Sequence, residues 1–164
     1  MDRNAFWKII DDAREATGDI EQVPDEVVSQ LCKLPIEEII SFKQHQLDLE
    51  AESYRWDLWA VAYIINGGCS DDGFDYFRAW LLANGRARFE AAMQQPEVIG
   101  DWTDGDADLE DMLAVAYDAY RRVGDQDSPF ESTVDRRPAE PVGEAWDEDD
   151  LESLYPRLCE KFWG

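Results

Sequence analysis

Basic residues are scarce in this chain. Its 164 residues hold 15 Lys and Arg against 38 Asp and Glu, a formal net charge of −23. That balance repels phosphate backbones and anionic lipid surfaces, so neither direct nucleic-acid binding nor membrane association is expected. Histidine is scarcer still. His45 stands alone, which excludes multi-histidine metal sites and leaves any Ser/His or Cys/His arrangement a single possible base. Three cysteines, Cys32, Cys69 and Cys159, form no CxxC pair, and their odd number suits reduced thiols in a cytoplasmic protein. No apolar run approaches the roughly 20 residues that a membrane-spanning helix needs. The opening residues 1–14 are charged throughout and lack the apolar segment of a secretory leader, so none is expected. Period-two alternation, the mark of a half-buried strand, is missing from every window. Gly67-Gly68 has neither the downstream lysine nor the preceding strand of a phosphate-binding loop.

What the chain does hold is core material. Apolar residues make up 45%, including seven Trp, six Tyr and seven Phe, which argues for one well-packed domain rather than disorder. The spacing predicts an all-α fold. A first helix begins after Asp2 or Asn4, carries Phe6, Ile9, Ile10 and Ala13, and stops at Gly18. Pro24 and Pro35 open a second and a third, and residues 56–65 form a fourth, ended by Asn66-Gly67-Gly68. Ser70 or Asp71 caps a fifth, with Phe74, Phe77, Trp80 and Leu81 on one face and Gly85 as terminator. Residues 86–95 give a sixth and residues 109–123 a seventh. After Gly124 the prolines Pro129, Pro138 and Pro141 mark an extended connector over 124–145. Residues 146–164 then read as one last helix, with Leu151, Leu154, Leu158 and Phe162 three and four apart. Such a stripe implies that the tail docks.

Residues 1–123 resemble a known family. FWKIID near the start, the block W-x-x-W-x-x-A-Y-x-I-x-x-G-G from Trp56, and SDDGFDYFRAWLLANGRARFEAA from Ser70 are similar to the bacterial domain-of-unknown-function family 4240. The resemblance implies a common domain over 1–123 with the tail beyond it, and carries no activity.

Several residues bear chemistry, each with a structural alternative. Cys69 precedes a helix start, where backbone N–H groups lower a thiol pKa, but Asp71 and Asp72 oppose that effect. Asp71 and Asp72 could serve as paired carboxylates, although capping and a first-turn charge explain them equally. Arg78, set among Phe74, Phe77 and Trp80, is expected to be partly buried and to need a carboxylate partner from elsewhere. The aromatic set around Trp59 and Trp80 forms either core or a pocket wall. Asp104, Asp106 and Asp108 alternate as in a calcium loop, but Leu109 and Val115 fall where that loop needs Gly and Glu. No metal or cofactor is expected.

Acids are spread along the chain, 19 in residues 1–100 and 19 in residues 101–164. The composition supports an acidic helical interaction module that binds a basic protein partner, with fast, salt-sensitive association. Asp71, Asp72, Arg78, Trp59, Trp80, Asp104, Asp106 and Asp108 are its candidate binding residues. The rival is a small-molecule-binding or catalytic domain that uses the aromatic core with Asp71, Asp72 and Arg78 as its polar groups. Acidity that serves only solubility is the third reading.

Overall fold

Asp2 starts the first helix, α1 (Arg3–Thr17), by accepting the Ala5 N–H at 2.8 Å, and Gly18 ends it in the left-handed region at φ 67°. In this computed structural model, which describes residues 1–124 and 129–164, the chain is all-α with no named strand among the described residues. The body continues with α2 (Val23–Leu31), α3 (Ile36–Glu52), α4 (Trp56–Asn66), α5 (Asp71–Ala83), α6 (Arg86–Gln94) and α7 (Val115–Val123). Pro35 is the cap of α3 rather than its first residue, and Gly67 closes α4 at φ 68°. Ser70 caps α5 through the Gly73 N–H at 3.1 Å, leaving Asp71 and Asp72 in the first turn.

Phe6, Phe42, Leu58, Ile64, Phe74, Phe77 and Leu81 are fully buried and form a single core. α2 packs against both α1 and α7, and α3 packs on α7. Gly85 does not simply end α5. Its φ of 95° opens α6, and Asp11 accepts the next N–H, that of Arg86, at 2.9 Å. A Cβ on Gly85 would stand 2.5 Å from Asp11 Oδ1.

Two expected helices need correction. The segment expected as one helix over 109–123 begins instead as a 3-10 helix, Glu110–Ala114, and becomes α-helical only at Val115. Side chains of α3 capture its carbonyls: Gln46 Nε2 donates to Met112 O at 3.0 Å and Lys43 Nζ to Leu113 O at 3.4 Å. The single last helix expected over 146–164 is broken into a 3-10 turn (Glu148–Asp150), α8 (Leu151–Leu154) and α9 (Pro156–Trp163). Pro156 causes the break. It has no N–H to donate and forces Tyr155 out of the helical region, to φ −134° and ψ 59°. The four-residue stripe is therefore split, with Leu151 and Leu158 buried and Leu154 54% exposed.

The tail nonetheless packs back on the body. The expected connector over 124–145 includes residues 125–128, which lie outside the described residues. After a 3-10 turn (Pro129–Ser132), the tail runs extended across α3 and reaches the start of α4. There Val142 exchanges backbone hydrogen bonds with Tyr54 and Trp56, both at 2.9 Å. Trp146 Nε1 donates to Trp56 O at 2.7 Å, and Trp163 Nε1 donates to Ile64 O at 3.0 Å. α9 lies on α4, and at the neighbouring 3-10 helix, Pro96–Asp101, Gly100 lets its Leu158 approach closely. A Cβ at Gly100 would stand 2.3 Å from Leu158 Cδ2. No helix is long and apolar enough to cross a membrane among the described residues.

Candidate functional site

Arg78 is a fully buried arginine, 2% exposed, on the inner face of α5. Helical spacing puts it one turn beyond Asp75, and the two pair directly at i, i+3. The guanidinium also donates to the backbone carbonyls of Glu50 and Phe74. Its carbon lies 4.7 Å from the centre of the Phe74 ring and 5.0 Å from that of Tyr54. A desolvated cation over an aromatic face gains on the order of 2 kcal/mol, which offsets part of its burial. Burial pulls the Arg78 pKa down, and Asp75 and Glu50 push it back up.

The tail brings a second arginine to the same place. Arg137 pairs with Asp75 at 3.2 Å, and its guanidinium lies 5.3 Å from the Tyr54 ring centre. Beside it Arg136 pairs with Asp48 of α3 at 2.6 Å. Gln44, one turn before Asp48, reads the tail's main chain, accepting the Val134 N–H at 2.8 Å and donating to Val134 O at 2.9 Å. Asp135 accepts the Arg137 N–H at 2.8 Å and fixes the turn between these grips. An extended, arginine-bearing segment thus lies on acids of α3 and α5.

Between body and tail a polar cavity of about 220 Å³ remains, lined by Glu50, Asp75, Arg78, Leu113, Asp135 and Arg137. Glu50 Oε1 is sealed from solvent and accepts no hydrogen bond among the described residues. Gln46 Oε1, one turn earlier on α3, is in the same condition. Leaving a buried acceptor unpaired costs about 1–3 kcal/mol, so two on one helix face is an unusual expense. Burial pushes the Glu50 carboxyl up from its ordinary value, against the pull of Lys43 and Arg78.

The residues singled out in sequence do not converge. Asp71 and Asp72 are exposed on the first turn of α5, while Arg78 is sealed beneath it and takes Asp75 from its own helix. Trp59 and Trp80 stand in an aromatic ladder: Trp56 and Trp59 stack at 5.4 Å, Trp59 and Phe74 at 4.9 Å, Phe77 and Trp80 at 5.9 Å. Trp59 Nε1 is spent on Cys69 O at 2.9 Å. Asp104, Asp106 and Asp108 all point to solvent while Ala107 and Leu109 between them are buried. Asp104 meets Lys161 at 3.4 Å, and no group of three His, Cys, Asp or Glu suited to a metal occurs among the described residues. Burial pushes the Cys69 thiol up to about 12, so its place at a helix start does not make it nucleophilic. His45 is occupied with Met1 O at 3.0 Å.

Sequence reading missed Glu50, Asp75, Asp135 and Arg137. Asp75 was visible three residues before Arg78. Gln46 and Glu50 fall near the core stripe of Ile39, Phe42 and Leu49, a polar interruption that signals a specific site.

These features define an all-helical domain with a docked C-terminal strap. The chain belongs to the family described as a protein of unknown function (DUF4240), whose family model matches residues 1–122. Glu50, Asp75 and Arg78 lie within that match, and Asp135 and Arg137 lie beyond it. No curated protein and no solved structure matches the chain.

Proposed function

We propose that this chain is an acidic helical interaction module that binds a basic segment of a partner protein in a bacterial cytoplasm. The observation that supports it is the tail itself: Arg136 and Arg137, on extended backbone, rest on Asp48 and Asp75 while Gln44 pairs with the main chain of Val134. A surface that receives its own basic peptide in this way has the elements to receive another. The net charge of −23 adds long-range attraction for a basic partner, and Asp101–Asp111 and residues 144–152 present exposed carboxylates to it. The same charge works against nucleic acid and anionic membranes. The rival, a small-molecule or catalytic site made of Asp71, Asp72 and Arg78, loses ground because the cavity that Arg78 lines among the described residues includes neither Asp71 nor Asp72, which are exposed.

The test starts from a pull-down from native lysate to identify the partner, followed by stopped-flow association with the purified protein. Association should slow steeply between about 0.05 and 0.5 M salt, as screening contracts the field. Neutralising the 101–111 or 144–152 acids should slow association more than it speeds dissociation. Association unaffected by salt, or turnover of a small molecule by the purified chain, would sink the reading.

A further inference from the structure

The groove on α3 and α5 already holds the tail, so a partner first meets a surface that the tail leaves open. The tail builds one itself. Six large apolar side chains are exposed among the described residues, and two of them, Val142 (59%) and Leu154 (54%), line the same cavity of about 450 Å³. That volume falls within the range of ligand pockets, roughly 300–1,000 Å³. Half-buried Trp146 and Tyr155 add aromatic surface to its lining. The cavity is preformed. Backbone hydrogen bonds to Tyr54 and Trp56 hold Val142, Trp146 Nε1 donates to Trp56 O, and the Pro156 break turns Leu154 outward. Gly143 carries the chain from Val142 to Glu144 at φ 101°, a conformation that favours glycine.

Charge selects the occupant. Three carboxylates, Asp57, Glu144 and Asp150, line the cavity against one cation, Arg55. Asp57 neutralises that cation, accepting from its Nε at 3.0 Å and from its Nη2 at 2.6 Å. Glu144 and Asp150 are exposed and join no ion pair among the described residues. Asp147, Glu148, Asp149 and Glu152 extend their charge, with no base between residues 144 and 152. An acidic ligand is repelled here, and so is a second copy of the chain, with its own net charge of −23. A bare cation would use the carboxylates and leave Val142 and Leu154 in water. A neutral apolar group would do the reverse.

We infer that this cavity is the docking site for a single apolar anchor residue, flanked by lysine or arginine, on the partner protein. The anchor inserts among Val142, Leu154, Trp146 and Tyr155, and its basic neighbours meet Glu144 and Asp150. The inference rests on the proposed binding of a basic partner and deepens it, naming where the partner docks and which kind of side chain holds it. The two parts of the site divide the work: exposed acids govern association, and the inserted apolar group governs dissociation.

NMR titration of the isotope-labelled full chain tests this with two probes of identical charge, acetyl-Lys-Lys-Phe-Lys-Lys-amide and the same peptide with Ala in place of Phe. The Phe peptide should bind at least about fivefold more tightly, because its ring buries apolar area that a methyl group cannot. Its largest shifts should fall on the amides of residues 142–146 and 153–155. Val142→Ala/Leu154→Ala changes no charge and should bring the two peptides to equal affinity. Val123→Ala, at an exposed site outside the cavity, should keep the difference. Should the double substitution loosen the tail, Leu154→Ala alone should still cut the preference to half or less. Equal affinity of the two peptides for the wild type overturns the inference, as does a preference that survives Val142→Ala/Leu154→Ala. If both bind equally and in a salt-sensitive way, the cavity is wrong and the broader reading stands; if neither binds at low salt, both fail. Binding of acetyl-Glu-Glu-Phe-Glu-Glu-amide as tightly as its basic counterpart would overturn the basic character of the occupant. Phenethylammonium chloride binding as tightly as the Phe peptide would overturn a protein source and make the ligand a small amine. Shifts of the same amides on concentrating the chain alone would make the occupant a second copy and overturn the inference.

Discussion

Arg78 and Arg137, from α5 and from the tail, converge on one carboxylate, that of Asp75. The arrangement is asymmetric. Arg78 is 2% exposed at its side chain, whereas Asp75 is 33% exposed and Arg137 reaches it from the solvent side. The interior cation depends on Asp75 more than Asp75 depends on it.

That asymmetry gives an ordering of mutational effects. Asp75→Asn leaves a sealed guanidinium without its carboxylate and should cost about 3 kcal/mol, near the low end for breaking a buried pair. Arg78→Met removes the buried charge, keeps much of the volume against Phe74 and Tyr54, and leaves Asp75 with Arg137 and water. It should cost less, about 1–2 kcal/mol, because no buried charge is left behind and the loss is that of the hydrogen bonds to the Glu50 and Phe74 carbonyls. Urea denaturation of both variants decides the matter, and a larger loss for Arg78→Met would refute the asymmetry.

Glu50 gives a pH dependence. Burial raises its folded pKa above the ordinary value of 4.5, so the folded state holds its proton more tightly than the unfolded state. Stability from the neutral form is complete below pH 4.5 and is lost as pH climbs through the raised folded pKa. Glu50→Gln, which mimics the neutral acid, should therefore match the wild type in acid and become progressively more stable than it as pH rises toward neutrality. Unfolding curves for the two chains that stay parallel from acid to neutral pH would show that Glu50 is not perturbed.

Much of the body was legible because its helix ends are written in local chemistry. Asp2, Ser70, Gly18 and Gly67 cap or terminate as their residue types dictate. The tail was less legible for a local reason and a distant one. Locally, the Leu151–Phe162 stripe outweighed Pro156, although a proline there removes a helical hydrogen bond that no stripe restores. The distant reason governs the site. Arg136 meets Asp48 across 88 residues and Arg137 meets Asp75 across 62, and no periodicity encodes which groove an extended segment will follow. The burial of Arg78 follows from its aromatic neighbours, and its carboxylate partner Asp75 stands one turn away on the same helix.

The chemistry of Cys69 is open to direct measurement. With its thiol pushed up to about 12, mainly by burial, very little thiolate exists near neutral pH. Alkylation by iodoacetamide at about pH 8 should be at least tenfold slower in the folded chain than in urea, where the thiol returns to its ordinary range. Peptide mapping by mass spectrometry separates Cys69 from Cys32 and Cys159. Fast labelling of Cys69 in the folded chain would restore it as a nucleophile.

The break at Pro156 makes a prediction that separates two geometries of the tail. On one continuous helix, Leu151, Leu154 and Leu158 would share a buried stripe and contribute alike. In the broken form Leu158 is packed against Gly100 and Leu154 stands 54% exposed. Leu158→Ala should then cost about 2–4 kcal/mol, the usual range for emptying a buried leucine site, and Leu154→Ala less than about 0.5 kcal/mol. Gly100→Ala should mimic the Leu158 loss from the other side, because its Cβ would stand 2.3 Å from Leu158 Cδ2 and push α9 away. Hydrogen exchange across α9 should rise in Leu158→Ala and Gly100→Ala and stay unchanged in Leu154→Ala. Equal destabilisation by Leu154→Ala and Leu158→Ala would mean that the tail docks through an unbroken stripe and that Pro156 does not turn Leu154 outward.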